Sequence, residues 1–180
     1  AEALAEASKT MLQRATVALE VIAGSGDTFY FITVGALVFF MQYGFALLET
    51  GMCRKNNTTA TFTKNILDAM IGALVSLAYG YQLAYHVSPS NCAAGATKVA
   101  TLICARFFHH AVFQGTAATI VSGAMVERTT IHGYAIITLV VSSAYCFVVR
   151  WTWGGGWLHM LGFKDFAGGM VVHGFGGASK

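Results

Sequence analysis

A chain of 180 residues with 56% hydrophobic and only 11% charged side chains is too apolar for an ordinary soluble domain, in which about a quarter of residues are charged. Its net charge of +3 comes from scattered residues, and no basic cluster is dense enough for a nucleic-acid-binding role. Twenty glycines against a single proline fit closely packed transmembrane helices.

Residues 2–22 are alanine-rich, with Glu2, Glu6, Lys9, Arg14 and Glu20 interspersed. This predicts a helix too charged to cross a bilayer and suited to lie on a membrane surface or a partner. The opening AEALAEASKT lacks a basic n-region followed by an apolar core, so no uncleaved signal peptide is expected there. The stretch GSGD at 24–27 is expected to break the helix, with Asp27 or Thr28 capping the next one. The chain thus divides into a peripheral amphipathic segment, 1–26, and a membrane domain, 27–180.

The first predicted span is 29–52, where Glu49 is the one charge. At 1.5 Å per residue, about 20 apolar residues cross a bilayer. A polar loop, CRKNNTTATFTK, follows at 53–64, and the second span covers 65–86. After a Ser/Pro/Asn/Gly loop come spans three (101–126) and four (131–149), separated by ERTT at 127–130. The connection WGGGWL then leads to a fifth helix expected to start near Asp165. The reading is an all-α integral membrane fold: four full transmembrane helices, the start of a fifth, and an N-terminal surface helix. Arg54, Lys55 and Lys64 make 53–64 the most basic short loop, which the positive-inside rule assigns to the cytoplasm-equivalent side of a cellular or organellar membrane. The N-terminus, the 87–100 loop and WGGGWL are then outside.

Small residues recur every four positions at Gly72, Ser76 and Gly80, and at Gly115, Thr119 and Gly123, the pattern that lets helix backbones approach closely. The cysteines at 53, 92, 104 and 146 show no metal or redox spacing and are expected to be buried or idle thiols. Glu49, Lys64, Asn65 and Asp68 fall near the inner ends of spans one and two, where a polar network tying those ends together is expected. Arg106 and Arg150 lie near outer span ends, within snorkelling reach of the interface. His86, His109, His110, His132 and His159 read individually as helix-end histidines.

His173 differs. Counted from a helix starting at Asp165, it lies about 12 Å deeper, near mid-membrane. Asp165 can cap that helix and complement its dipole. Gly169 and Gly177, four residues to either side of His173, leave its face bare. A neutral imidazole there offers one donor and one acceptor, which suits relaying a proton or holding a small hydrogen-bonding solute. Left in hydrocarbon without partners it would be costly, so a neighbour is expected on that face.

Five stretches occur in order: FFMQYGFALLETGMCRKNN at 39–57, KNILDAMIGAL at 64–74, TAATIVSGAMVERT at 116–129, WTWGGGWL at 151–158 and DFAGGMVVHGFGG at 165–177. Together they resemble the ammonium transporter family, which includes the methylammonium permeases and Rhesus proteins, from about residue 27 onward. The resemblance implies a trimer of eleven-helix subunits, N-terminus outside, each with a pore between two five-helix halves of inverted topology. It implies an outer aromatic site that recruits ammonium, matched here by Phe113, Trp153 and Asp165, and two pore histidines, of which His173 matches the first. An aromatic face attracts a cation, and a dry path past imidazoles favours the neutral amine. Two positions depart from the family pattern: His109-His110 stands where Phe-Gln is common, and Arg150 where histidine is common. A fixed cation at the mouth would repel ammonium.

Residues 27–180 match only the first half of that fold. The expectation is therefore a non-conducting accessory or structural subunit of a larger membrane assembly, with other membrane subunits covering the Gly169/His173/Gly177 face. The alternative is the front portion of a working trimeric channel that continues past Lys180 and carries ammonium or ammonia. In a pigment-bearing assembly, histidines beside apolar spans are placed to ligate tetrapyrrole metals. No motif brings together a nucleophile, a base and a third residue, so no enzyme is expected.

Overall fold

The computed structural model describes residues 2–92 and 97–180, and within the first 23 residues the side chains of Glu6, Lys9, Met11, Gln13, Arg14 and Thr16. Helix α1 (Glu2–Met52) runs 51 residues without interruption. The expected break at GSGD does not occur. Thr28 donates its hydroxyl to the Gly24 carbonyl at 2.8 Å, the back-bond of a residue inside a helix rather than a cap. Isolated glycines weaken a helix by about 1 kcal/mol each, too little to stop one that continues into a long apolar stretch.

Helix α2 (Thr58–Val75) widens into a π-helical turn (Ser76–Gly80) and continues as α3 (Tyr81–Tyr85). His86 ends it in the left-handed conformation, at φ 57°. Helix α4 (Lys98–Met125) is capped by Thr97, whose hydroxyl accepts from the Ala100 N–H at 3.2 Å. Helix α5 (Ile131–Thr152) is capped by Thr130 in the same way. After a short α6 (Trp157–Met160), a π-helical turn (Gly169–Gly174) leads into α7 (Phe175–Ala178).

Among the described residues, three helical stretches are long and apolar enough to cross a membrane: Gly24–Met52, Lys55–Tyr85 and Ile131–Met160. Helix α4 is 28 residues long, also sufficient to cross, but it is the hub of the bundle, packed on α1, α2, α5 and α7. Its buried positions are Ala, Thr, Ser, Gly, Val, Gln and His. From Gln114 to Thr119 every residue of α4 is buried, so this stretch needs no lipid-facing apolar surface. The outward faces of the other helices supply that surface: Phe40 is 73% exposed, Leu37 66% and Leu47 65%, while Asp68, Gln114 and Ser142 are wholly buried. Apolar outside and polar inside is the arrangement a bilayer favours.

The small-residue stripes pack helices together. A Cβ on Gly72 would lie 3.3 Å from the Gly115 backbone nitrogen, so α2 and α4 nearly touch there. Gly123 departs from its stripe and is exposed. The idle-thiol expectation fails at two positions: Cys92, ending the turn Pro89–Cys92, is disulfide-bonded to Cys104 in α4. Cys53 and Cys146 remain free.

Candidate functional site

One end of the bundle carries Asp27, Arg106, Trp153 and Asp165, and the other carries Arg54, Lys64 and Glu127. At the first end, α1, α3, α4 and the loop after α6 enclose an aromatic cavity of about 780 Å³. Phe31, Tyr81, Arg106, His109, Phe113 and Trp153 line it. The spacing i, i+3, i+7 puts Arg106, His109 and Phe113 on one face of α4. The rings of Phe31, His109, Phe113 and Trp153 form a row. Phe31 meets His109 edge-on at 5.1 Å, His109 tilts against Phe113 at 4.6 Å, and Phe113 meets Trp153 edge-on at 6.3 Å.

Trp153 is held by the residue expected to share its site. Its indole N–H donates to the Asp165 backbone carbonyl at 2.7 Å. The Asp165 carboxylate in turn accepts from the N–H groups of Gly169, Met170 and Val171, at 2.8 to 2.9 Å. Partial desolvation raises the carboxyl pKa, but the N–H donors of Val171, Met170, Gly169 and Gly168 outweigh it and hold the group below its ordinary value. So Phe113, Trp153 and Asp165 are brought together, with Asp165 bracing the site from behind while Phe113 and Trp153 line the cavity. Gly168 makes this compact: it sits at φ 76°, and a Cβ there would lie 2.9 Å from Val172 Cγ2 and 3.3 Å from Trp153 Cη2.

The last helix starts later than expected. Asp165 caps it from upstream, the helical turn begins at Gly169, and His173 lies about 6 Å along it rather than 12 Å. Val171, Val172 and Gly176 face the bundle, while Gly169, His173 and Gly177 are exposed on the opposite side. That face is bare, as the glycine spacing implied, and His173 does not line the aromatic cavity.

Arg150 is also placed differently. Its guanidinium curls onto the Gly154 carbonyl and fastens the glycine-rich loop, outside the cavity lining. The cation that does line the cavity is Arg106. His110 is no helix-end histidine: it is 2% exposed, within 5.4 to 5.8 Å of the rings of Tyr81, Tyr85 and Tyr145.

Between α1, α2, α4 and α5 lies a buried set of polar side chains that includes Glu49, Lys64, Asn65 and Asp68. Asn65 donates to Glu49 at 2.8 Å, and Ser122 donates to the same carboxylate oxygen at 2.5 Å. Asp68 accepts from Gln42 at 2.8 Å, Thr119 at 2.9 Å and Tyr134 at 2.7 Å. Lys64 donates to the Thr129 carbonyl at 2.6 Å and lies over the Tyr134 ring. Sequence reasoning missed Gln42, Thr119, Ser122 and Tyr134. Gln42 and Glu49 stand seven apart, and Thr119 and Ser122 three apart, so helical periodicity held the signal. Beneath the network Glu127, at φ 60°, ties the turns together: it accepts from the Arg54 N–H at 2.8 Å and from Asn57 at 2.9 Å. These donors, Asn57 and the Arg54 N–H first, keep its pKa below the ordinary value.

Comparison with known proteins points one way. The model of the Ammonium Transporter Family matches residues 29–179. The ammonium transporter Amt2 of Haloferax mediterranei is 41% identical over 159 residues, covering 81% of this chain and 35% of that protein. Ammonium transporter 3 of Dictyostelium discoideum is 38% identical, covering 82% of this chain and 35% of that protein. A solved structure titled Sensor Amt Protein superposes with a TM-score of 0.74 at 33% identity, over 88% of this chain and 43% of its own. The chain therefore spans well under half the length of the relatives it matches.

Proposed function

The chain belongs to the ammonium transporter family, an integral membrane family, and on that premise we propose that it forms the front portion of an ammonium or ammonia pathway. The observation that carries the reading is the Phe113–Trp153 pair on the aromatic cavity, anchored through Asp165. Ammonium arriving at this end meets the negative faces of an aromatic row, worth about 0.5 to 2 kcal/mol for a cation. Beyond it lies apolar packing, where a charge is costly and a neutral amine is not. His173, on the bare face of the last helix, is read as the first pore histidine, facing a second half of the pore. In this reading the cavity end and the N-terminus face outside, and the Arg54/Lys55 loop faces the cytoplasm-equivalent side.

The expected accessory role and the pigment association find no support among the relatives, which are named as ammonium transporters. A second reading, a membrane sensor that binds ammonium in the same cavity, has the solved relative's title behind it. The test is uptake of labelled methylammonium by liposomes holding the complete polypeptide that carries these residues. Uptake that falls at least tenfold in both Trp153→Ala and His173→Ala supports transport. Binding without uptake favours the sensor, and neither binding nor uptake overturns both.

A further inference from the structure

Resting on the transport reading, we propose that Arg106 is a specificity-determining residue of the aromatic cavity, a resident cation that weakens recruitment of charged amines relative to neutral ones. The guanidinium carries a permanent charge at any physiological pH. It lies 5.3 Å from the Phe31 ring centroid, on the same aromatic row that continues through His109 and Phe113 to Trp153. One end of the row is therefore already occupied by a cation belonging to the chain, while the Phe113–Trp153 end is open to an incoming one. Both cations share one lining, and because the Arg106 side chain is half exposed their repulsion is only partly screened.

Asp27 compensates only in part. Its carboxylate approaches Arg106 at 4.0 Å, the two side chains are 58% and 51% exposed, and an exposed pair at that distance is weakly coupled. Asp27 sits on α1 and does not line the cavity, so its charge lies farther from an incoming cation than the guanidinium does. The carboxylate offsets part of the guanidinium's field, and the remainder disfavours a second cation in the cavity. A neutral amine feels no such penalty.

The test titrates methylammonium into the complete polypeptide in detergent, reading the tryptophan fluorescence change that is lost in Trp153→Phe, alongside current from the same protein in liposomes. Arg106→Gln should bind methylammonium about three- to tenfold tighter than wild type, the size expected for one partly screened charge. The gain should shrink when salt rises from roughly 0.02 to 0.5 M, because screening removes only a charge effect. Arg106→Lys keeps the charge and should stay within about twofold of wild type, which separates charge from packing. Asp27→Asn should weaken binding, moving opposite to Arg106→Gln. A wild-type protein that responds while Arg106→Gln binds equally or more weakly overturns the inference and leaves the transport reading standing. A salt-independent gain shared by Arg106→Lys assigns the effect to packing and overturns it too. A wild type with neither binding nor current overturns the transport reading first, and the inference with it.

Discussion

Trp153 and Asp165 are joined twice: the indole donates directly to the aspartate's backbone carbonyl, and the aspartate's carboxylate holds the helical turn that packs beside the indole. Asp165→Ala removes the acceptor for three N–H groups and should lower stability by about 1 to 2 kcal/mol, the usual range for a lost helix cap. Because the folded carboxyl titrates below its ordinary value of 3.8, its contribution is complete above that pH and is lost as pH falls through the lower folded value. Tryptophan fluorescence during acid titration should show wild type losing stability below about pH 4, with this component absent in Asp165→Asn. Parallel acid curves for the two proteins would sink the assignment.

The glycine-rich loop before α6 yields a ranking. A Cβ on Gly154 would lie 2.0 Å from the Ala84 carbonyl oxygen, a backbone atom with no room to retreat. Gly154→Ala should cost about 3 kcal/mol, the upper end for overpacking. Gly155 has open space but sits at φ 76°, so Gly155→Ala should cost only about 1 to 2 kcal/mol. Thermal unfolding in detergent that places the two in the reverse order would contradict the packing of this loop against α3.

The spans and the polar network were legible because each leaves a local signal. Apolar runs of bilayer length mark the first, and acids at 49 and 68 within such runs mark the second. What escaped depends on distance through space. The Cys92–Cys104 bond joins a turn to a helix, and no spacing rule announces it. Arg150 was read as a mouth cation because charge is visible in a sequence and direction is not: its guanidinium turns onto a carbonyl four residues away. The run through GSGD was misread because two glycines cost a helix only about 1 kcal/mol each, too little to stop one that continues into an apolar stretch of bilayer length.

Asp68 is the least exposed acid of the network and its central acceptor. Asp68→Ala would remove the acceptor of the Thr119 and Tyr134 hydroxyls, at about 1 to 3 kcal/mol per stranded group, while Gln42 keeps its bonds to Thr119 and the Asn65 carbonyl. That is a large fraction of the roughly 5 to 15 kcal/mol that holds a domain folded, so the yield of folded protein should fall. Tyr134→Phe is the milder probe. It keeps the ring beneath Lys64 and removes only the hydroxyl, at about 0.5 to 1.5 kcal/mol for one hydrogen bond. A Tyr134→Phe protein as heat-resistant as wild type would show that the hydroxyl does not support Asp68.

The disulfide gives a chemical handle on orientation. Cys92 and Cys104 lie at the cavity end of the bundle, Lys55 at the other, and disulfides persist in oxidising compartments. A membrane-impermeant maleimide should therefore label Cys92 and Cys104 only after reduction, and only from the cavity side. A Lys55→Cys variant in a background lacking Cys53 should be labelled from the opposite side without reduction. Breaking the bond by Cys92→Ser with Cys104→Ser should cost about 2 to 3 kcal/mol, the scale for a loop of a dozen residues. Labelling of positions 55 and 92 from the same side would refute the topology on which the cavity's outward orientation depends. Labelling of Cys92 without reductant would refute the bond.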